Sequence, residues 1–219
     1  MKRQVSLEEI SDGRLYSRND MVKAGCGGCK GCCECCKGMG TSVVLDPLDV
    51  FRLTQGLLCT FETLLAGKAE LNVVDGVILP NLKMDEACAF LNEEGRCSIH
   101  EWRPGICRLF PLGRYYEKES RSFRYFLQVH ECLAPVKTKV KAEKWIDTPN
   151  LPRYEQFINQ WHYFLEDVEH KIAEETDDTA IKNSNLFLLK LFYFKPYDTA
   201  EDFYPQFGER LVMANETLF

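Results

Sequence analysis

From about residue 150 the apolar positions recur at steps of three and four: Tyr154, Phe157, Ile158, Trp161, Phe164, Leu165, Val168 and Ile172. That period gathers them into one aromatic-rich stripe along an amphipathic helix. Glu155, Glu166, Asp167, Glu169, Glu174 and Glu175 fall on the other face. Stripes of this kind are usually core, so the segment predicts a scaffold helix packed on the rest of the chain. A second helix is expected from Thr179 to about Phe194, more apolar and therefore more deeply buried. A third is expected after Asp198, cut short or broken by Pro205 and Gly208.

Upstream the periods are shorter. Asp46-Pro47 can cap and start a helix with Leu48, Phe51, Leu53 and Leu57 as its apolar anchors. Residues 60–67 read as a second short helix closed by Gly67. Asp75-Gly76 lies between two apolar runs, 71–74 and 77–79, and predicts a hairpin. A second hairpin is expected between 112–116 and 123–129, with the charged segment 117–122 as its loop. The pattern predicts an α+β fold: a small domain of short helices and hairpins over residues 1–135, followed by a helical region over 136–219 packed on it.

Composition narrows the function. The chain has 219 residues, and its 27 Lys+Arg against 33 Asp+Glu give a formal charge of −6. Hydrophobic residues at 45% and charged residues at 27% exclude a mainly disordered chain. The acidic balance argues against nucleic acid as a partner. MKRQVSLEEI at the start is not followed by an apolar run of signal-peptide length. The most apolar stretch, residues 186–194, contains Lys190 and falls far short of the ~20 residues a bilayer requires. A cytoplasmic protein without membrane association is expected, in a compartment where clustered thiols bind metal or do redox chemistry.

The cysteines carry that chemistry. There are 11, six of them between Cys26 and Cys36, then Cys59, Cys88, Cys97, Cys107 and Cys132, and none beyond. Cys29, Cys32, Cys35 and Cys36 form CxxCxxCC. Two residues between thiols let a tight turn aim both sulfurs at one point, and Gly25, Gly27, Gly28 and Gly31 supply the backbone freedom. A tetrahedral thiolate site needs four sulfurs at ~2.3 Å. The same CxxCxxC spacing also binds three corners of an iron–sulfur cubane. Adjacent Cys35 and Cys36 point apart in extended backbone, so they serve two nearby sites or one stays unligated. Cys88, Cys97, Cys107 and Cys132 raise the count to eight, enough for two Cys₄ sites or for one with spare structural thiols.

Arg103 and Arg108 flank Cys107, within a stretch where seven basic residues face three acidic ones, Glu101, Glu117 and Glu119. A four-thiolate zinc or oxidised cubane carries about −2, which such arginines would offset. The sharper reading makes them an anion site for a carboxylate-bearing cofactor or a phosphate. Cys59 reads as core, and Asp46 and Asp49 as helix-start residues before anything else. His130, His162 and His170 show no spacing of a catalytic pair, and no catalytic residue stands out.

The motifs Cys29-x₂-Cys32-x₂-Cys35-Cys36, Asp49, Cys88-Ala-Phe-Leu, Cys97-Ser-Ile and Arg103-Pro-x-x-Cys107-Arg-x-Phe-Pro111 occur in this order. In this the chain resembles the YkgJ-like CxxCxxCC cysteine-cluster family, whose members are described as zinc- or iron-chelating domains. The resemblance runs from about Cys29 to Cys132. Cys26 and Cys33 are extra to the pattern, and His100 stands where the family often has tyrosine. A less specific resemblance extends to bacterial flagellin lysine-N-methylases, which implies iron–sulfur-dependent methyl transfer to a protein lysine; S-adenosylmethionine is a carboxylate-bearing cofactor of the kind the anion-site reading of the arginines would take. The expected function is therefore an iron–sulfur protein acting on a protein substrate. The alternative is a non-catalytic, zinc-stabilised module that binds a protein partner.

Overall fold

The structure, a computed structural model, describes residues 6–26, 32–133 and 137–219. A single helical turn, α1 (Leu7–Ile10), leads into strands β1 (Ser11–Tyr16) and β2 (Met21–Gly25). After a 3₁₀ turn at Glu34–Cys36 come α2 (Pro47–Leu57), α3 (Phe61–Leu65) and the hairpin β3 (Ala69–Val74) and β4 (Val77–Leu82). Then follow α4 (Gly105–Leu109), strands β5 (Leu112–Glu117), β6 (Ser122–Gln128) and β7 (Thr138–Lys141), and α5 (Ala142–Ile146). The chain ends in three longer helices: α6 (Leu151–Glu174), α7 (Asp178–Leu189) running into a π turn at Lys190–Phe194, and α8 (Phe203–Leu218). This is the expected mixture of short helices and hairpins followed by helix.

Local chemistry explains the early elements. The Asp46 carboxylate accepts from the Asp49 amide at 2.8 Å and Asp49 accepts from the Asp46 amide at 3.2 Å, a reciprocal cap that starts α2 at Pro47. The expected short helix is present and capped by Thr60, but α3 closes on Ala66 in right-handed backbone rather than on a left-handed Gly67. Asp75 and Gly76 take φ of 50° and 89°, the two positive values that a tight hairpin turn needs for Val74 to face Val77. The second hairpin pairs Leu112 with Leu127 and Glu117 with Ser122. Strand β1 adds to the free edge of β6, giving the order β1-β6-β5, and β2 pairs with β7 through Val22 and Val140. One continuous core joins Leu45, Leu53 and Ile99 to Trp161, Phe192 and Phe207, on both sides of the division at residues 135 and 136.

Helix α6 buries the predicted stripe from Tyr154 to Ile172, with Leu165 half-buried. It also fixes the second hairpin, since Tyr163 Oη donates to the Glu117 carbonyl at 2.9 Å and Asn159 Nδ2 to the Arg121 carbonyl at 2.7 Å. The expectation for the next helix is corrected in two ways. Regular helix ends at Leu189, and within α7 only Asn185, Leu188 and Leu189 are buried, so it is less enclosed than α6. Burial returns in the π turn at Leu191, Phe192 and Tyr193, where Tyr193 Oη donates to the Leu45 carbonyl at 3.1 Å.

The last helix is neither short nor broken: α8 runs 16 residues. Pro205 sits in its first turn, where the backbone N–H has no intrahelical partner to lose. Gly208 costs about 1 kcal/mol against alanine. Fully burying a Phe side chain gains roughly 1.5–3 kcal/mol, and α8 buries Phe203 and Phe207. Arg210, 6% exposed, donates to the carbonyls of Leu191, Lys195 and Pro196 and so satisfies the end of the π turn.

Candidate metal centre

Three chain segments carry the thiols to one place, each held by backbone. The Cys88 amide donates to the Cys36 carbonyl at 2.8 Å, and Lys37 and Ala87 form an antiparallel bridge beside it. This docks the end of the 3₁₀ turn on the Cys88 segment. Gly95, at φ 69°, turns the chain so that Leu91 bridges Cys97, and the Ser98 amide donates to the Phe90 carbonyl at 2.9 Å. Helix α4 brings Cys107. Its first residue, Gly105, donates its amide to Asp49 Oδ1 at 2.8 Å, so the cap of α2 also pins α4. Glycine is required there, because a β-carbon would sit 2.0 Å from Tyr154 Oη.

Cys35, Cys36, Cys88, Cys97 and Cys107 share one electrostatic neighbourhood. A hydrogen bond from Cys36 lowers the Cys35 thiol to about 7, with Arg103 adding to the effect. Cys36, as the donor, is pushed strongly up, and its own burial and the nearby Cys35, Cys88 and Cys97 add to that. Burial is the first cause that raises Cys88, Cys97 and Cys107. Repulsion from Cys35 contributes to all three, and Cys107 also faces Asp49. Burial likewise raises the Asp46 and Asp49 carboxyls, with Asp49 adding to the rise at Asp46 and the Gly105 amide lowering Asp49 in part.

Among the described residues, no group of three or more His, Cys, Asp or Glu side chains is already placed to hold a metal ion. The five thiols are gathered but not closed around a centre. Metal binding by such thiols would release their protons. A donor set made of sulfur alone, beside one guanidinium, suits zinc or an iron–sulfur centre and not a hard cation.

The remaining predicted residues divide. Cys29 lies outside the described residues. Cys32 is exposed and lines the same cavity as the five thiols, as does Cys26. Cys33 approaches the Gly95 turn, its sulfur 3.8 Å from where a β-carbon there would be. Cys132 is half-buried and does not line that cavity, and Cys59 packs against the core as expected. The two predicted arginines part company. Arg103 lies beside Cys35 and Cys97 and bonds His100 Nε2 at 3.0 Å. Arg108 turns away to the carbonyls of Asp147 and Glu101, lining a separate hollow of about 730 Å³ with Arg52.

The cavity itself, about 1260 Å³, was not legible in the sequence, nor was the group that lines it together with the thiols: Arg114, Tyr116, Tyr154 and His162. In the sequence Arg114 is one of the seven basic residues expected to offset the thiolate charge or to form an anion site, and its charge does not set it apart from the other six. Its only signal was its place two residues after Leu112, on the same face of the strand as a buried leucine.

Residues 28–132 match one protein-family model, described as "CxxCxxCC: Putative zinc- or iron-chelating domain". No curated protein and no solved structure matches the chain.

Proposed function

Starting from residues 28–132 as a CxxCxxCC domain, we propose that the chain holds an iron–sulfur cluster through cysteine thiolates. The observation that carries this reading is the meeting of five thiols from three segments beside Arg103. The ligands are drawn from Cys29, Cys32, Cys35 and Cys36 in the first segment and from Cys88, Cys97, Cys107 and Cys132 downstream. Five or more sulfurs in one neighbourhood exceed what a single tetrahedral zinc uses, and CxxCxxC flanked by glycines is a cubane-binding spacing. Arg103 offsets the charge of about −2 that such a centre carries.

Methyl transfer to a protein lysine is the activity that the resemblance to flagellin lysine methylases suggests. Arg103 is then the group that would take the carboxylate of S-adenosylmethionine. The second reading is a non-catalytic zinc module that binds a protein partner, favoured by the same all-thiol donor set.

Iron, zinc and acid-labile sulfide analysis of anaerobically purified protein, with a visible spectrum, separates the readings. Brown protein with iron and sulfide in equivalent amounts is expected. Cys36→Ser and Cys88→Ser should lower the metal content, while Cys59→Ser should leave it unchanged. Colourless protein with about one zinc per four ligating thiols would replace the first reading by the second. Protein free of both metals would overturn both.

A further inference from the structure

Arg114 reaches the inside of the fold. Its Nη2 donates to Tyr154 Oη at 2.9 Å, its Nε is buried without a partner, and its guanidinium lines the large cavity. Among the described residues no carboxylate stands in ion-pair contact with it. Asp46 is near and adds to the stability of its charge, but no hydrogen bond or ion pair joins the two. A buried guanidinium without a direct ion pair is costly, and an arginine keeps its charge at any working pH. The cavity around it is walled by Trp161, Ile158 and a close Tyr116–His162 stack, with ring centroids 3.4 Å apart and 13° between planes.

We propose that this cavity is a binding site for a small organic monocarboxylate, with its carboxylate on Arg114 and an apolar or aromatic body against the Trp161 and Tyr116 wall. Arg96, Arg103, Lys139 and Lys144 also line the cavity, but it is the Arg114 guanidinium, with a free donor, that lies with the aromatic wall and matches one carboxylate. Inorganic phosphate has no apolar body to place against that wall. Ligand sites of this size are mostly apolar with a few placed polar groups, which is the make-up here. The thiols line the same cavity, so the metal content is a second variable of the test.

The test uses the full chain as purified, its metal content measured in parallel. Phenylacetate, hexanoate and 4-hydroxybenzoate are titrated by calorimetry and by tryptophan fluorescence, since Trp145 and Trp161 line the cavity and Trp102 does not. Saturable binding of at least one carboxylate is expected, at least about tenfold tighter than phenylacetamide or inorganic phosphate. Arg114→Gln should weaken it by about tenfold or more. Ile158→Phe, which extends a ring into the cavity and leaves Arg114 in place, should also abolish or strongly weaken it. Absence of binding by all three carboxylates, phosphate binding as tightly, or affinity unchanged in Arg114→Gln would overturn the proposal. Should Arg114→Gln not fold, unchanged affinity in Ile158→Phe overturns it alone.

Discussion

Asp49 joins two elements through one side chain, and its removal can be worked out bond by bond. Asp49 accepts from the Gly105 amide at 2.8 Å through one oxygen and from the Asp46 amide at 3.2 Å through the other. Asp49→Ala leaves the buried Gly105 donor unsatisfied, a cost of about 1–3 kcal/mol. It also removes half of the reciprocal cap on α2, which costs about 1 kcal/mol. Burial raises the Asp49 carboxyl, so the native residue bears a desolvation cost that alanine relieves in part. The net expected loss is roughly 2–3 kcal/mol. Asp49→Asn keeps one acceptor and turns the other atom into a donor facing a donor, so it should fall between alanine and the parent. Urea unfolding of reduced, metal-free protein, followed by circular dichroism, reads the order. Because Gly105 opens the helix that carries Cys107, metal content after reconstitution should fall in the same order. An Asp49→Ala protein within about 0.5 kcal/mol of the parent would refute the pin between α2 and α4.

Two further outcomes follow from close contacts and from the thiols. Gly105→Ala drives a β-carbon to within 2.0 Å of Tyr154 Oη and should cost about 1–3 kcal/mol, whereas Gly67→Ala meets nothing within 4 Å and should be neutral by thermal melting. The folded-state values of Cys88, Cys97 and Cys107 are raised above the ordinary thiol value of 9.0, so the folded chain holds these protons more tightly than the unfolded one. The stability they contribute is therefore complete below that value and lost above it. Reduced, metal-free protein should lose melting temperature as pH rises past 9.0, and Cys107→Ser should flatten the slope. An unchanged slope would mean that the buried thiols are not held protonated.

What could be read from the chain was local. The Asp46 and Asp49 cap, the Asp75-Gly76 turn and the α6 stripe each depend on residues at most a few positions apart, so their chemistry is written consecutively. The CxxCxxCC spacing and the downstream motifs are legible as metal-binding in the sequence alone, because tight turns aim thiols at this spacing toward one point. The strands β1 and β2 escaped notice because they exist only by pairing with β6 and β7, more than 100 residues away. An edge strand needs no alternating pattern of its own when its partner supplies the ladder. Apolar content likewise overstated the burial of α7, and Pro205 proved harmless in α8 because of its place in the first turn.

The sharpest division runs through the charged residues. Arg103, Arg108 and Arg114 look alike in sequence, yet one lies beside the thiols, one turns to backbone carbonyls, and one enters the interior against Tyr154. Which of them meets a sulfur, a carbonyl or a cavity is set by the packing of α4, β5 and α6. Solvation lets a long cationic side chain point anywhere until the tertiary fold removes the water around it.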